Sequence, residues 1–174
     1  PTPNAIRTAS GMPGEAYWQQ QADHDITVRL DVASNILTGS ESIKYYNNSP
    51  DTLSFIWLQL EQNVHREDSI RSKEGRSTGE DSFEGIHITT LEVDDVPADW
   101  HDYATVAKVL LRHPLEPNDT CVLQIDWSFS MPVKSGLRMG YDDAYEDGPV
   151  WELAQWFPAP CVYDDVYGWN TLPY

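Results

Sequence analysis

Between Cys121 and Phe129 the chain alternates, with Cys121, Leu123, Ile125, Trp127 and Phe129 at every second position. Successive side chains of an extended strand point to opposite faces, so this spacing puts all five on one side. It predicts a strand with one face against a core. A helix would not gather these residues, because its apolar stripe needs spacings of three and four. The strand needs partners, and the rest of the chain has to supply them.

Further short runs fill that role. From His24 to Asp31, Ile26, Val28 and Leu30 face one way, while Asp25, Thr27, Arg29 and Asp31 face the other. That is the pattern of a half-buried strand. Ala33-Ser34-Asn35 turns the chain, and Ile36 to Asn47 returns as a second strand with Ile43 and Tyr45 on one face, completing a hairpin. Asn47-Asn48-Ser49-Pro50-Asp51 is a dense turn signal. Leu53 to Leu60 is nearly all apolar, which predicts a strand buried on both faces. The polar stretch from Val64 to Gly85 predicts a long surface loop. Ile86 to Val93 and Thr105 to Leu111 predict two more strands, bounded by turns at Asp94 to Asp99 and at Pro114, Pro117, Asn118 and Asp119. Gly136 to Gly148 is acidic and loop-like, and the aromatic run from Val150 to Val162 is broken by Pro158 and Pro160.

Six or seven short strands between turn signals predict an all-β domain, a sandwich or saddle-shaped sheet. No helical period lasts beyond two turns, and neither an internal repeat nor a linker divides the chain. The 174 residues fit one domain. Residues 1–16, rich in Pro and Gly at the start, are expected to be an extended N-terminal arm, and residues 17–174 a single β domain.

Charge narrows the partners. The net charge is -17, and the eleven Lys and Arg are scattered. Nucleic-acid binding needs basic clusters against the phosphates, so no nucleic acid is expected. No apolar stretch approaches the roughly 20 residues that span a bilayer. Cys121 and Cys161 allow one disulfide or two buried thiols, and the sequence leaves both open. Asn47-Asn48-Ser49 and Asn118-Asp119-Thr120 fit the glycosylation pattern, a short motif with many false matches.

Catalytic signatures are missing from the sequence. His24, His65, His87, His101 and His113 include no pair at i, i+4, so the His-Glu-x-x-His zinc motif is absent. So are Cys-x-x-Cys, the Gly-x-Ser-x-Gly elbow and the phosphate loop. The doublets Asp94-Asp95, Asp142-Asp143 and Asp164-Asp165 are not facing carboxylate pairs, because adjacent strand residues point apart. Asp142 to Gly148 is rich in oxygen ligands but lacks the order of a calcium loop.

Three stretches carry a family signal. One is Tyr17-Trp18-Gln19-Gln20-Gln21-Ala22-Asp23-His24-Asp25-Ile26, running into Leu30-Asp31. A second is Gly39-Ser40-Glu41-Ser42-Ile43, then Tyr46 to Leu53, Trp57-Leu58-Gln59-Leu60 and Gln62-Asn63. The third is Gln155-Trp156-Phe157-Pro158, Val162-Tyr163-Asp164-Asp165 and Gly168-Trp169-Asn170-Thr171. Together they resemble the N-terminal domain of gluzincin zinc aminopeptidases, the group of aminopeptidase N and leukotriene-A hydrolase, and most of all a bacterial branch of zinc peptidases. The resemblance runs from about Ala5 to the last residue.

This resemblance implies a saddle-like β-sandwich of antiparallel and mixed sheets, truncated at its C-terminal side. It implies no cofactor in this chain and zinc in the parent protein, where a following catalytic domain carries His-Glu-x-x-His and hydrolyses N-terminal peptide bonds. The implied partners are the peptide substrate and that catalytic domain of the same polypeptide, and the implied location is periplasmic or secreted. In the family a Gln or Glu of the N-terminal domain, shortly before a Phe-Pro stretch, lines the pocket for the substrate's free amine. The matching positions are Gln155 and Glu152, whose oxygens accept hydrogen bonds from an ammonium group. The plainer reading makes Gln155 a sheet residue with a satisfied amide. Asp164 and Asp165 are expected to accept backbone N–H groups at a turn, and Tyr163 and Trp169 to be packing residues. The rival to this reading is a stand-alone β-sandwich module binding carbohydrate or protein, which a row of exposed Trp and Tyr would favour.

Overall fold

The computed structural model describes residues 3–75, 84–131 and 139–172. Residues 76–83, inside the loop expected at Val64 to Gly85, and 132–138, which reach into the loop expected at Gly136 to Gly148, lie outside the described residues. The order of elements is β1 (Gln21–Asp31), β2 (Ile36–Tyr46), β3 (Leu53–Gln59), a 3-10 turn (Glu61–His65), α1 (Ile70–Lys73), β4 (His87–Val93), β5 (Val96–Pro97), β6 (Trp100–Asp102), β7 (Val106–Leu115), β8 (Thr120–Ser130), β9 (Met139–Asp142), β10 (Val150–Leu153), β11 (Ala159–Pro160), β12 (Tyr163–Asp164) and β13 (Gly168–Trp169). Two sheets dominate, one in the order β1-β2-β8-β4-β5 and the other β11-β3-β7-β6. β9 with β10 and β12 with β13 form two small ribbons.

The strand that opened the sequence argument is the centre of the larger sheet. β8 pairs with β2 from Tyr46↔Thr120 to Ile36↔Ser130 without a break, and with β4 on its other side. Cys121, Leu123, Ile125, Trp127 and Phe129 are all buried, and each large apolar side chain so placed contributes about 1.5–3 kcal/mol. One core cluster joins them to Ile56 and Leu58 of β3 and Ala107 and Val109 of β7, so the two sheets face each other as a sandwich. Every described pairing is antiparallel, so the mixed pairing expected of the sheets is not found among the described residues. Parallel neighbours need a long crossover, usually a helix, and α1 has four residues.

Local chemistry explains the turns. Asp31 Oδ1 accepts the backbone N–H groups of Ala33 and Ser34, and Asn35 takes the left-handed conformation that closes the β1–β2 hairpin. Asp94 and Asp95 both have positive φ, 51° and 62°, between the partners Val93 and Val96. That is the two-residue turn whose twist suits a hairpin. Ser69 caps α1 by accepting from Ser72 N, which puts a helical turn inside the stretch expected to be loop. β3 departs from expectation too. Leu53, Ile56 and Leu58 are buried, but Phe55 and Trp57 are only half-buried, with the Lys108 ammonium 3.9 Å from the Phe55 ring centre.

Residues 4–16 form a small loop. Arg7 bridges to Pro13, and Asn4 Oδ1 accepts from the backbone N–H groups of Ile6 and Arg7. Arg7 Nε donates to both oxygens of Asp165, at 2.7 and 2.9 Å, and fastens the loop to the β12–β13 ribbon.

Candidate functional site

The two residues singled out for substrate contact lie on one short stretch of β10 and the bend that follows it. Glu152 sits in β10 opposite Gly140 of β9 and is exposed. Its neighbours Trp151 and Leu153 pack inward against the core cluster. Gln155 lies past the end of the strand and is also exposed. It is therefore not the sheet residue of the plainer reading. Its φ of 52° is left-handed, an uncommon conformation for a residue with a side chain. Such outliers persist where the surroundings over-determine them.

The surroundings here do so. Gln62, buried in the 3-10 turn, donates from Nε2 to the carbonyl of Ala154, the residue just before Gln155. Trp151 Nε1 donates to Asn35 Oδ1 at 3.2 Å, tying β10 to the β1–β2 turn. On the other side, Trp156 and Phe157 meet edge to face at 5.0 Å between ring centres. Trp156 lies 5.8 Å from Trp127 of β8, and Phe157 lies 5.4 Å from the His24 ring of β1. Pro158 is buried, and β11 then joins β3. Two polar groups thus stand out from a wall of indole and phenyl rings fixed at several points.

Behind that wall lies a carboxyl group that the sequence reading did not select. Glu41 is on the inward face of β2 with Leu37, Gly39, Ile43 and Tyr45, and is 3% exposed. Its register partners are Ile26 and Ile125. Oε2 is 3.4 Å from His24 Nδ1, while Oε1 has no hydrogen-bond partner. Burial in this apolar layer pushes the Glu41 carboxyl up to about 8, and burial lowers the His24 imidazole. The geometry would also suit an ion pair, but burial disfavours the charged form of each partner. A signal for Glu41 was available, because the alternation that places Ile43 and Tyr45 inward places Glu41 with them.

The three sequence stretches that carry the family signal meet at a separate corner. Trp18 stacks on Tyr163, Tyr163 packs on Trp169, and the Tyr163 hydroxyl donates to Asp51 at 2.8 Å. Asn47 is fully buried. Its Nδ2 faces the carbonyls of Asp51, Leu115 and Glu116, and its Oδ1 accepts from Gln20 Nε2, Ser49 N and Ser49 Oγ. Such burial removes Asn47 as a glycan acceptor in the folded chain. Asp164 Oδ1 accepts the backbone N–H groups of Val166 and Tyr167, the turn role expected of it. Asp165 instead receives Arg7. Tyr163 and Trp169 are packing residues, as expected.

Other candidates resolve simply. Cys121 and Cys161 are free and buried, and burial raises both thiols to about 12. Among the described residues no group of three or more His, Cys, Asp or Glu side chains is arranged to hold a metal ion, including the acidic stretch after Asp142. The described residues thus offer no donor set for the zinc that the resemblance implies. None of the seven Trp is exposed. Among the described residues no helix is long and apolar enough to cross a membrane.

No protein-family model and no curated protein matches the chain. Solved structures do. The M1 zinc metallopeptidase from Deinococcus radiodurans is 16% identical, with a TM-score of 0.47, over 71% of this chain and 24% of that one. A mutant of it bound to a Tyr-Ser-Ala substrate is 15% identical, with a TM-score of 0.48, over 82% of this chain and 26% of that one. A mutant two-domain M1 zinc metallopeptidase bound to L-tryptophan gives 15% and 0.46, over 74% and 24%. Identities and scores this low assign no activity to this chain. Its path is similar to one part, about a quarter in length, of M1 zinc metallopeptidases.

Proposed function

We propose that this chain is the N-terminal scaffold and substrate-lining domain of a zinc metallo-aminopeptidase. The observation that carries the reading is the pinned bend at Gln155. A motif position picked from the sequence for amine contact is exposed, left-handed and backed by fixed rings. An amide oxygen on that bend can accept a hydrogen bond from a peptide's terminal ammonium group, a charge-assisted contact worth more than a neutral one. Pre-organisation matters, because a loose side chain loses much of that energy to ordering. Glu152, three positions earlier, adds a carboxylate on the same short stretch. The catalytic zinc would be held by residues outside this chain.

The test starts with the parent reading frame. It should continue past Tyr174 into His-Glu-x-x-His, and the full-length protein should release N-terminal residues from peptides and lose that activity to a chelator. A frame without the motif would remove the enzyme part of the reading. The rival, a stand-alone binding module, lacks its main support. No Trp is exposed, and among the described residues the exposed rings Tyr103, Tyr145 and Tyr167 lie in three separate connections between strands rather than in a row on one sheet face.

A further inference from the structure

We propose that Glu41 and His24 hold a single proton between them as an uncharged pair, and that this pair positions the segment bearing Gln155. Glu41 is sealed inside the sandwich with one oxygen unpartnered, so a negative charge on it would have little to compensate it. The protonated carboxyl donates to a bare Nδ1 of His24, which requires the imidazole tautomer with its hydrogen on Nε2. The His24 ring in turn meets Phe157 edge-on, two residues from Gln155. Loss of the proton to solvent leaves a buried carboxylate that the imidazole meets only by moving its own hydrogen from Nε2 to Nδ1. The contact is remade with donor and acceptor exchanged, and the seat of Phe157 shifts with the ring.

Among the described residues the elements packed around the pair present mainly apolar side chains to it. On β8 the inward neighbours are Ile125 and Trp127, and Trp127 Nε1 has no partner either. The opposing sheet presents Ile56, Leu58, Ala107 and Val109 to the core. Leu153, Trp156 and Phe157 cover the layer without a titratable side chain. On β1, Asp23 lies beside His24 and favours its charge, but desolvation outweighs it. Glu41 and His24 are thus positioning residues. Their meaning for substrate rests on the aminopeptidase reading, whereas the pair itself does not.

The test is nuclear magnetic resonance of the isotope-labelled chain across pH 5 to 10. Expected are a Glu41 carboxyl that titrates near pH 8, amide signals of Gln155 and Phe157 that move with it, and a His24 ring carrying its hydrogen on Nε2 below that point. Glu41→Gln should abolish the movement with the sheet intact. Should that variant fail to fold, His24→Ala serves, since Glu41 would still titrate while the Gln155 and Phe157 signals stop following it. A Glu41 carboxyl titrating near 4.5, or amide movement that survives both substitutions, would overturn the proposal. Peptide hydrolysis plays no part in these readouts, so their failure is separable from failure of the aminopeptidase reading.

Discussion

The corner around Asn47 and the wall around Gln155 are held by different means, one by a buried amide and the other by packed rings. At the corner every oxygen and nitrogen of the Asn47 side chain is engaged, and Gln20, Ser49 and Asp51 are tied to the same network, although Trp18 Nε1 and the Tyr45 hydroxyl on the neighbouring rings are buried without partners. Behind the wall, Glu41 Oε1 and Trp127 Nε1 are buried without partners, and Gln155 holds a left-handed backbone. Satisfied buried networks rigidify a fold, whereas unsatisfied groups and strained backbones cost stability and need another reason to persist. The comparison teaches that the Asn47 amide is structural cement, whereas the stretch carrying Gln155 is held by ring packing and by a hydrogen bond to the carbonyl of Ala154.

The contrast can be broken by substitution, and the largest effect should come from the corner. Asn47→Ala removes the donor that reaches the carbonyls of Asp51, Leu115 and Glu116 and the acceptor for Gln20 and Ser49. A loss of about 3–5 kcal/mol is expected in denaturant unfolding, most of it from buried groups left unpaired. A loss under about 1 kcal/mol would mean that water replaces the amide and that the corner is not cement.

Glu41→Gln should act in the other direction. The native Glu41 keeps its proton up to about pH 8, while the unfolded chain releases it near 4.5. The native state therefore binds more protons across that window, and its stability falls as pH rises through it. His24, whose folded value is lowered, opposes this slope below about 6.5, so the clean window is pH 6.5 to 8. Gln at position 41 does not titrate. The variant should gain on the order of 1–3 kcal/mol over the wild type at pH 7.5 and lose most of the slope in that window. Equal slopes in both proteins would show that Glu41 ionises normally.

The smallest effect belongs to the bend. Gln155→Gly relieves the positive φ and should stabilise the chain by about 1 kcal/mol in thermal or chemical unfolding. Destabilisation instead would place the Gln155 side chain among the structural residues.

Much of the fold was legible before the structure. The alternation in β8 and the β1–β2 hairpin needed only period and turn chemistry. Periodicity does not report position in a sheet, however. β1 shows the expected alternation, yet Val28 is 44% exposed, because the strand lies at the edge of the larger sheet and lacks cover there. The helical turn at Ile70–Lys73 is too short to show a period, and the Ser69 cap alone does not separate it from a loop. At the site, Gln155 and Glu152 came from the family motif alone, since no periodicity or turn signal singles them out. Glu41 was hidden because a charged residue in a strand is ordinarily assigned to the wet face, although its own register places it inward.

The central claim is that Gln155 forms part of a wall against which a peptide's free amine is held. It is tested most directly by steady-state kinetics of the full-length protein carrying Gln155→Ala, with peptide substrates whose N-terminus is free. The account predicts a fall in kcat/KM of roughly 10- to 100-fold, the worth of one hydrogen bond to a charged group. An unchanged kcat/KM would contradict it.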